Sequence, residues 1–155
     1  MWMQLLLWSG LILPWFTLYF MRREAFKRYL PVALFTTVLT MNLYELGYVY
    51  EWWRIGRTIV PWGHITNVPI MFGVFFVSTL WIFHLTFRSA WLYFLVNAAL
   101  DLSTVYLLDD LLAWIDIFTF VNLTRWETFL IMTGQAIVIY GFQRWYESEP
   151  QVRYA

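Results

Sequence analysis

The chain has 155 residues and a formal net charge of zero, with ten basic and ten acidic residues, so it presents no global field suited to nucleic acid or to an acidic substrate. Its composition is 61% hydrophobic and 13% charged, against about 45–50% and about 25% in an average soluble domain; that excess excludes an ordinary soluble core and calls for hydrocarbon as a second apolar solvent. There is no cysteine, which excludes disulfides, thiolate metal sites and cysteine nucleophiles.

Taken in order, the first apolar run is charge-free from Trp2 to Met21, about the 20 residues a spanning helix needs, and Gly10 and Pro14 inside it are tolerated by such helices. Basic residues follow this run rather than precede it, which is the reverse of a secretory signal peptide. The segment Arg22-Arg23-Glu24-Ala25-Phe26-Lys27-Arg28 reads as a short loop and is the densest basic cluster in the chain. By the positive-inside rule it belongs in the cytoplasm.

A second span is predicted from Tyr29 to Tyr50, with Pro31 in its first turn, where a missing N–H costs nothing. Glu51 to His64 mixes charge, Trp, Gly and Pro, and reads as an external loop held at the interface by Trp52, Trp53 and Trp62. Asn67 to Phe87 is a third span, opened by Asn67 as an N-cap and Pro69 in the first turn. Arg88-Ser89 is a tight turn, so the third span and a fourth, Ala90 to Leu108, are predicted to be antiparallel neighbours. Leu111 to Phe118 suits an amphipathic surface piece. Trp126 to Phe142 is a fifth, shorter span, and Gln143 to Ala155 a polar tail.

The prediction is therefore an all-α fold, a single bundle of five transmembrane helices over residues 1–142 (spans 2–21, 29–50, 67–87, 90–108 and 126–142) with a polar tail over 143–155. Orientation follows from Lys and Arg: Arg22, Arg23, Lys27, Arg28, Arg88, Arg144 and Arg153 fall on one side and Arg54, Arg57 and Arg125 on the other. Seven against three puts the N-terminus outside and the C-terminus in the cytoplasm.

Polar residues inside these spans are the candidate site. Asn42 and Glu45 are spaced i,i+3, and Asn97 and Asp101 i,i+4, so each pair shares one helix face, expected to point at protein. At about 1.5 Å per residue, Glu45 lies roughly 24 Å and Asp101 roughly 18 Å above the cytoplasmic surface. A carboxylate there costs about 2.5–3.5 kcal/mol, so it needs a partner or a function. Two readings stay open: a ligand-binding or proton-carrying site between the second and fourth helices, or a structural arrangement in which Arg125 is the counter-ion and the polar groups only hold helices together. Glu45-Leu46-x-x-Val49-Tyr50 is echoed by Asp101-Leu102-x-x-Val105-Tyr106, consistent with a parallel repeat.

His84 and Gln135 are secondary candidates; His84 lies near the cytoplasmic end of its helix and would need Asn97, Gln135 or water to relay a proton to the carboxylates. His64 has no His or carboxylate at metal-ligand spacing, so no metal site is expected. Gly47, Gly73, Gly134 and Gly141 suit close helix contact. Asn122-Leu123-Thr124 matches the glycosylation acceptor pattern. There is no nucleophile elbow, no Gly-rich phosphate loop and no paired metal-binding His, which weighs against an enzyme and leaves a membrane enzyme working through two carboxylates as a third reading. No cofactor is implied, and the partners expected are the lipid bilayer, an unidentified small ligand, and a membrane-protein partner or second copy of the chain.

Lys27-Arg28-Tyr29-Leu30-Pro31-Val32-Ala33, then Glu45-Leu46-Gly47-Tyr48 with Trp52-Trp53, Thr66-Asn67-Val68-Pro69, Asn97 with Asp101, and Arg125-Trp126 together resemble a group of small multi-pass membrane proteins of spore-forming Firmicutes with no assigned activity. The resemblance covers most of the chain and implies a bacterial cell membrane and five helices. Tryptophan-rich sensory proteins related to the translocator protein share the length, helix number and Trp content, but their double proline before a Trp is not found here, so that similarity is one of architecture and carries no function.

Overall fold

The apolar runs fold as five long helices, described here in a computed structural model that covers residues 2–148. Helix α1 (Trp2–Phe20) ends in a tighter 3₁₀ turn at Leu18–Phe20. Helix α2 is Arg23–Val49, α3 is Pro69–Thr86, α4 is Ala90–Trp114 and α5 is Arg125–Ser148. Two helices are locally widened into π geometry, α3 over Pro69–Phe75 and α4 over Thr104–Leu108. Helices α1 to α4 are long and apolar enough to cross a membrane. Helix α5 is not among them, because Arg125, Glu127, Arg144 and Glu147 sit in its terminal turns and Gln135 and Gln143 interrupt the rest.

Several boundaries differ from the predicted ones. The segment expected to be a loop at Arg22–Arg28 is the first turn and a half of α2, so Pro31 lies within the helix, where it leaves the Lys27 carbonyl without its usual i+4 donor. Helix α4 runs on past Leu108 through Asp109-Asp110 to Trp114, and α5 continues beyond residue 142 to Ser148. The expected tail is thus helical over 143–148, and its remainder, 149–155, lies outside the described residues. Asn67 Oδ1 accepts from the Ile70 N–H at 3.2 Å, the hydrogen bond of an N-cap.

The two connections expected only to lie at the surface pair with each other. Strand β1 (Trp53–Ile55) runs antiparallel to β2 (Phe118–Phe120), with Trp53 opposite Phe120 and Ile55 opposite Phe118. Each strand is entered through a left-handed residue nearby, Glu51 at φ 51° and Asp116 at φ 56°. The alternation Trp53-Arg54-Ile55 turns Trp53 and Ile55 inward and Arg54 out. This small sheet lies across one end of the bundle and buries Trp53 and Ile55 with Tyr44 and Met71.

Helices α2, α3, α4 and α5 pack in a ring in which α2 touches α3 and α5, and α4 touches α3 and α5. The antiparallel turn at Arg88-Ser89 is as expected; Ser89 caps α4 by accepting from the Leu92 N–H. Helix α1 stands outside the ring against the widened start of α3. Gly10 and Gly73 face each other at that crossing, where a Cβ on Gly73 would run into the Gly10 carbonyl oxygen and come within 2.7 Å of Leu11 Cα. The bundle core is aromatic, with Tyr29, Phe83, Phe87, Tyr93 and Tyr140 packed at tilted ring angles between the four ring helices.

Candidate functional site

The polar side chains of the ring helices converge on an interior cavity of about 230 Å³ to which all four contribute: Thr36 from α2, Ser78 and Thr79 from α3, Tyr93, Asn97, Asp101 and Thr104 from α4, and Gln135 from α5. Both π segments reach it, through Val74 and Phe75 on α3 and Thr104 and Leu108 on α4. A π turn breaks the regular ladder and re-aims the side chains beside it, which is why such turns recur at functional sites. A larger concavity of about 730 Å³, lined by Pro14, Trp81 and Val96 among others, is an open groove between α1, α3 and α4 with no titratable side chain. The smaller space between the four ring helices is therefore the one with chemistry.

Asp101 is the centre of that chemistry. It lies about 16 Å from the Ala90 end of α4 and about 20 Å from the Trp114 end, at 1.5 Å per residue. It is 8% exposed, and its Oδ2 has no hydrogen-bond partner. Around it, most hydroxyl protons are already given to carbonyls. Thr36 donates to Val32 O at 2.8 Å, Thr79 to Phe75 O at 2.8 Å, Thr104 to Leu100 O at 2.9 Å and Tyr93 to Ala136 O at 3.1 Å. Asn97 Nδ2 donates to Tyr93 O at 2.8 Å, which frees its Oδ1. What these residues retain for a guest is chiefly acceptor lone pairs. Among the described residues that line the cavity there is no Lys, Arg or His.

The ends of the cavity are closed differently. Toward the sheet, Gln135 Nε2 donates to Thr40 Oγ1 across the α2–α5 contact. Beyond that bond, a second space of about 100 Å³ is roofed by Tyr44, Trp53, Phe118 and Phe120. Gly47 lets the Trp53 ring lie directly on α2, since a Cβ there would overlap the indole. Toward the other end, the tilted rings of Phe83 and Tyr93 pack with centroids 5.0 Å apart and those of Tyr93 and Tyr140 4.8 Å apart. Below them Arg28, on the early turns of α2, meets Glu147, in the last turn of α5, through two 2.6 Å hydrogen bonds. Gln143 adds a 2.7 Å bond to the same carboxylate. The guanidinium hydrogen bond holds the Glu147 carboxyl below the usual glutamate range, against a smaller opposing effect of burial.

The candidates named from sequence are divided by this geometry. Asp101, Asn97 and Gln135 line the cavity together. Asn42 and Glu45, expected to point at protein, lie on the exposed face of α2. Asn42 satisfies itself there by donating to Val38 O at 2.7 Å. Glu45 is one turn from the end of the helix at Val49, close enough to reach a polar boundary. The echo between Glu45 and Asp101 is thus not an equivalence, since one carboxyl is exposed and the other buried. Nor is Arg125 the counter-ion of either. It bonds Asp110 Oδ1 and lies 3.9 Å from Asp109 Oδ2, because α4 continues past Leu108 and brings those two carboxylates beside the start of α5. His84 packs edge-on against Trp81 at 5.8 Å and does not line the cavity.

Comparison with known proteins brings no relative to this site. No protein-family model, curated protein or solved structure matches the chain at a significant level. The reading therefore rests on the residues themselves.

Thr36, Thr40, Thr79, Tyr93 and Thr104 were not singled out from sequence. A signal for the first two exists: Ala33, Thr36, Thr37, Thr40, Tyr44 and Gly47 recur at helical spacing as a small and hydroxylated stripe, and all are buried. On the same helix wheel Asn42 and Glu45 lie roughly 140–160° from Thr40. Centring the wheel on threonine rather than on the charged residue finds the inward face. Among the described residues, no three His, Asp or Glu side chains gather as metal ligands.

Proposed function

We propose that this chain is a five-helix protein of a bacterial cell membrane, N-terminus outside and C-terminus in the cytoplasm, whose interior cavity binds and exchanges a proton or a small monovalent cation at Asp101. The membrane assignment is supported by four helices of spanning length and hydropathy and by the many large apolar side chains on their outward faces, such as Leu13, Phe16, Leu34, Val38, Leu95 and Leu107. Helix α5 crosses as well. Its stretch from Thr128 to Phe142 carries no Asp, Glu, Lys or Arg, and it supplies one wall of the cavity. The Arg28–Glu147 pair ties the start of α2 to the end of α5, which agrees with both lying on the side where Arg22, Arg23, Lys27, Arg88 and Arg144 collect.

The observation that carries the functional reading is the buried, unpartnered Asp101 oxygen in a cavity whose lining brings no positive charge. A carboxylate in such a place is too costly to stand alone. It is balanced by a proton or by a cation, and the acceptor oxygens of Asn97, Thr36, Thr79 and Thr104 suit the same guest.

The test uses the purified protein in lipid nanodiscs. Its unfolding midpoint is read against methylammonium, against Na⁺ and against pH, with ionic strength held by Mg²⁺, which dehydrates reluctantly. Binding to the folded state alone stabilises by about 2.7 kcal/mol at one hundred times Kd. At least one of the three dependences is expected in the wild type and is lost in Asp101→Asn; identical behaviour of the two proteins in all three refutes the reading.

A second reading, a structural or interaction subunit without a ligand, is favoured by Gln135–Thr40 and Tyr93–Ala136, which bond helix to helix, and by the exposed Asn42 and Glu45, which sit where a partner helix would reach them. The same experiment separates the two, since a structural Asp101 gives no saturable cation response.

A further inference from the structure

The open groove between α1, α3 and α4 has walls from Val77 to Thr86 on α3 and from Leu92 to Leu100 on α4, about 14 Å and about 12 Å at 1.5 Å per residue. Pro14 and Thr17 bound it from α1. Because α3 and α4 are joined by the turn at Arg88-Ser89, Thr86 and Leu92 mark its shallow end and Val77 and Leu100 its deep end. That length is close to one leaflet of hydrocarbon, about 15 Å. The hydroxyls of Thr17 and Thr86 already donate to Pro14 O and Ile82 O, so the walls offer a guest chiefly carbon. The shallow end is different. Arg88 stands two residues beyond Thr86, and Arg22, Arg23 and Lys27 follow α1; all four are exposed. Met21 and Phe87, the residues just before Arg22 and Arg88, are buried in one cluster, so the two basic segments leave the bundle from a common core. Among the described residues Arg23, Lys27 and Arg88 have no carboxylate partner, and Arg22 comes only within 3.9 Å of the exposed Glu24. Tyr19 and Trp91, 89% and 77% exposed, project from the same end, as rings at headgroup level do.

Resting on the membrane placement proposed above and independent of the role of Asp101, we infer that this groove binds one anionic phospholipid from the leaflet at the basic end. An acyl chain lies in the groove, and the phosphate is held among Arg88, Arg22 and Arg23. Charge complementarity fixes the sign of the head, since cations without partners surround the mouth and their attraction to an anionic headgroup is the usual recognition of such lipids. The carbon walls fix the rest: a free phosphate gains nothing from Val77, Leu92 and Leu100, and a neutral lipid leaves the arginines unanswered. A second copy of the chain is disfavoured by the same charges, because in the same membrane orientation it would set one basic end against another. Ser78, Ile82 and Leu100 border both the groove and the interior cavity, so the bound chain covers the outer side of that wall.

The probes are dioleoylphosphatidylglycerol, dioleoylphosphatidylcholine and glycerol 3-phosphate, titrated into the purified protein in dodecylmaltoside micelles with the unfolding midpoint as readout. Phosphatidylglycerol is expected to stabilise saturably at a mole fraction at least about tenfold below that of phosphatidylcholine, as two cations beside an anionic headgroup give. Glycerol 3-phosphate, a head without a chain, is expected to give no saturable shift. Arg88→Gln, and Arg22→Gln combined with Arg23→Gln, change exposed side chains and so fold; each variant is expected to raise the phosphatidylglycerol required by about fivefold or more and to leave the phosphatidylcholine response in place. Val96 lines the groove and not the interior cavity. Val96→Phe is expected to weaken phosphatidylglycerol by about tenfold with every arginine retained, the loss of roughly two buried methylene contacts, whereas a diffuse attraction to the basic surface would ignore it. The inference is overturned if phosphatidylcholine matches phosphatidylglycerol, if glycerol 3-phosphate reproduces the response, or if either the arginine variants or Val96→Phe leave the preference unchanged. Light scattering that shows Val96→Phe turning a dimer into a monomer would give the groove to a second copy and overturn it too. Asp101→Asn is expected to keep the lipid preference. If that preference is absent while Asp101→Asn still removes the cation dependence, the lipid inference fails alone; a lipid preference without any cation dependence sinks only the reading of Asp101.

Discussion

Replacing Gly73 by alanine tests the crossing of α1 over the widened start of α3. The added methyl would overlap the Gly10 carbonyl oxygen and lie 2.7 Å from Leu11 Cα. Ordinary contact begins near 3.4 Å, so α1 must retreat by at least about 0.7 Å, and neither partner is a flexible side chain that could swing away. That retreat stretches the Trp15 Nε1 bond to Phe72 O and the Trp81 Nε1 bond to Thr17 Oγ1, each 3.0 Å, and loosens the 5.3 Å stack of Trp15 on Phe76. Overpacking costs about 1–3 kcal/mol and each weakened bond up to about 1 kcal/mol, so we expect Gly73→Ala to destabilise by about 2–4 kcal/mol. Gly134→Ala is the control, because nothing lies within 4 Å of the Cβ it would gain; it should be neutral or slightly stabilising through helix propensity. The assay is reversible unfolding in mixed micelles of increasing dodecyl sulfate content, followed by Trp fluorescence. A Gly73→Ala protein within 0.5 kcal/mol of Gly134→Ala, on that order-of-magnitude scale, would refute the close crossing.

Two further outcomes are expected. Glu147 has its carboxyl lowered in the folded protein by Arg28, so the stabilisation from this pair is complete above the ordinary glutamate value of 4.5 and is lost as pH falls through the lower folded value; Glu147→Gln should flatten the acid limb of the stability profile and leave neutral pH changed by less, the Arg28 side chain being half exposed. Glu45→Gln and Asn42→Leu should each shift stability by less than about 0.5 kcal/mol, as for exposed positions without buried partners, and leave any cation response intact; a loss of that response in Glu45→Gln would place the second carboxyl in the site after all.

The helical class, the four spanning-length helices and the tight turn at Arg88-Ser89 were legible in the sequence, because length, hydropathy and local capping are properties of short segments. Within the site, Asp101 and Asn97 were visible as an i,i+4 polar pair near the middle of an apolar run, but the same kind of pair on α2, Asn42 with Glu45, is exposed, so the spacing alone did not say which pair faces the cavity. Gln135 was visible as an interruption, although its partner Thr40 was not. The pairing of Trp53–Ile55 with Phe118–Phe120 was not legible, since two three-residue strands far apart in the chain leave no periodic signal.

Composition and segment length by themselves determined that this chain is built from long apolar helices, and the position of Asp101 determined that one of them carries a carboxyl needing a partner. Which of the polar residues share a site was decided only by the tertiary structure. In helices whose outward faces are apolar, hydrophobicity does not distinguish inside from outside, so the rotation of α2 could not be read from Asn42 and Glu45; packing of its alanine and threonine stripe toward α3 and α5, and of Gly47 against Trp53, turned those two outward. In the same way Gly73 and Gly134 look alike in sequence, and only the crossing of α1 makes one indispensable and leaves the other free. Arg125 was drawn from Asp101 to Asp110 by two further turns of α4, and Asp101 was left in a cavity with an acceptor-rich wall and no cation of its own.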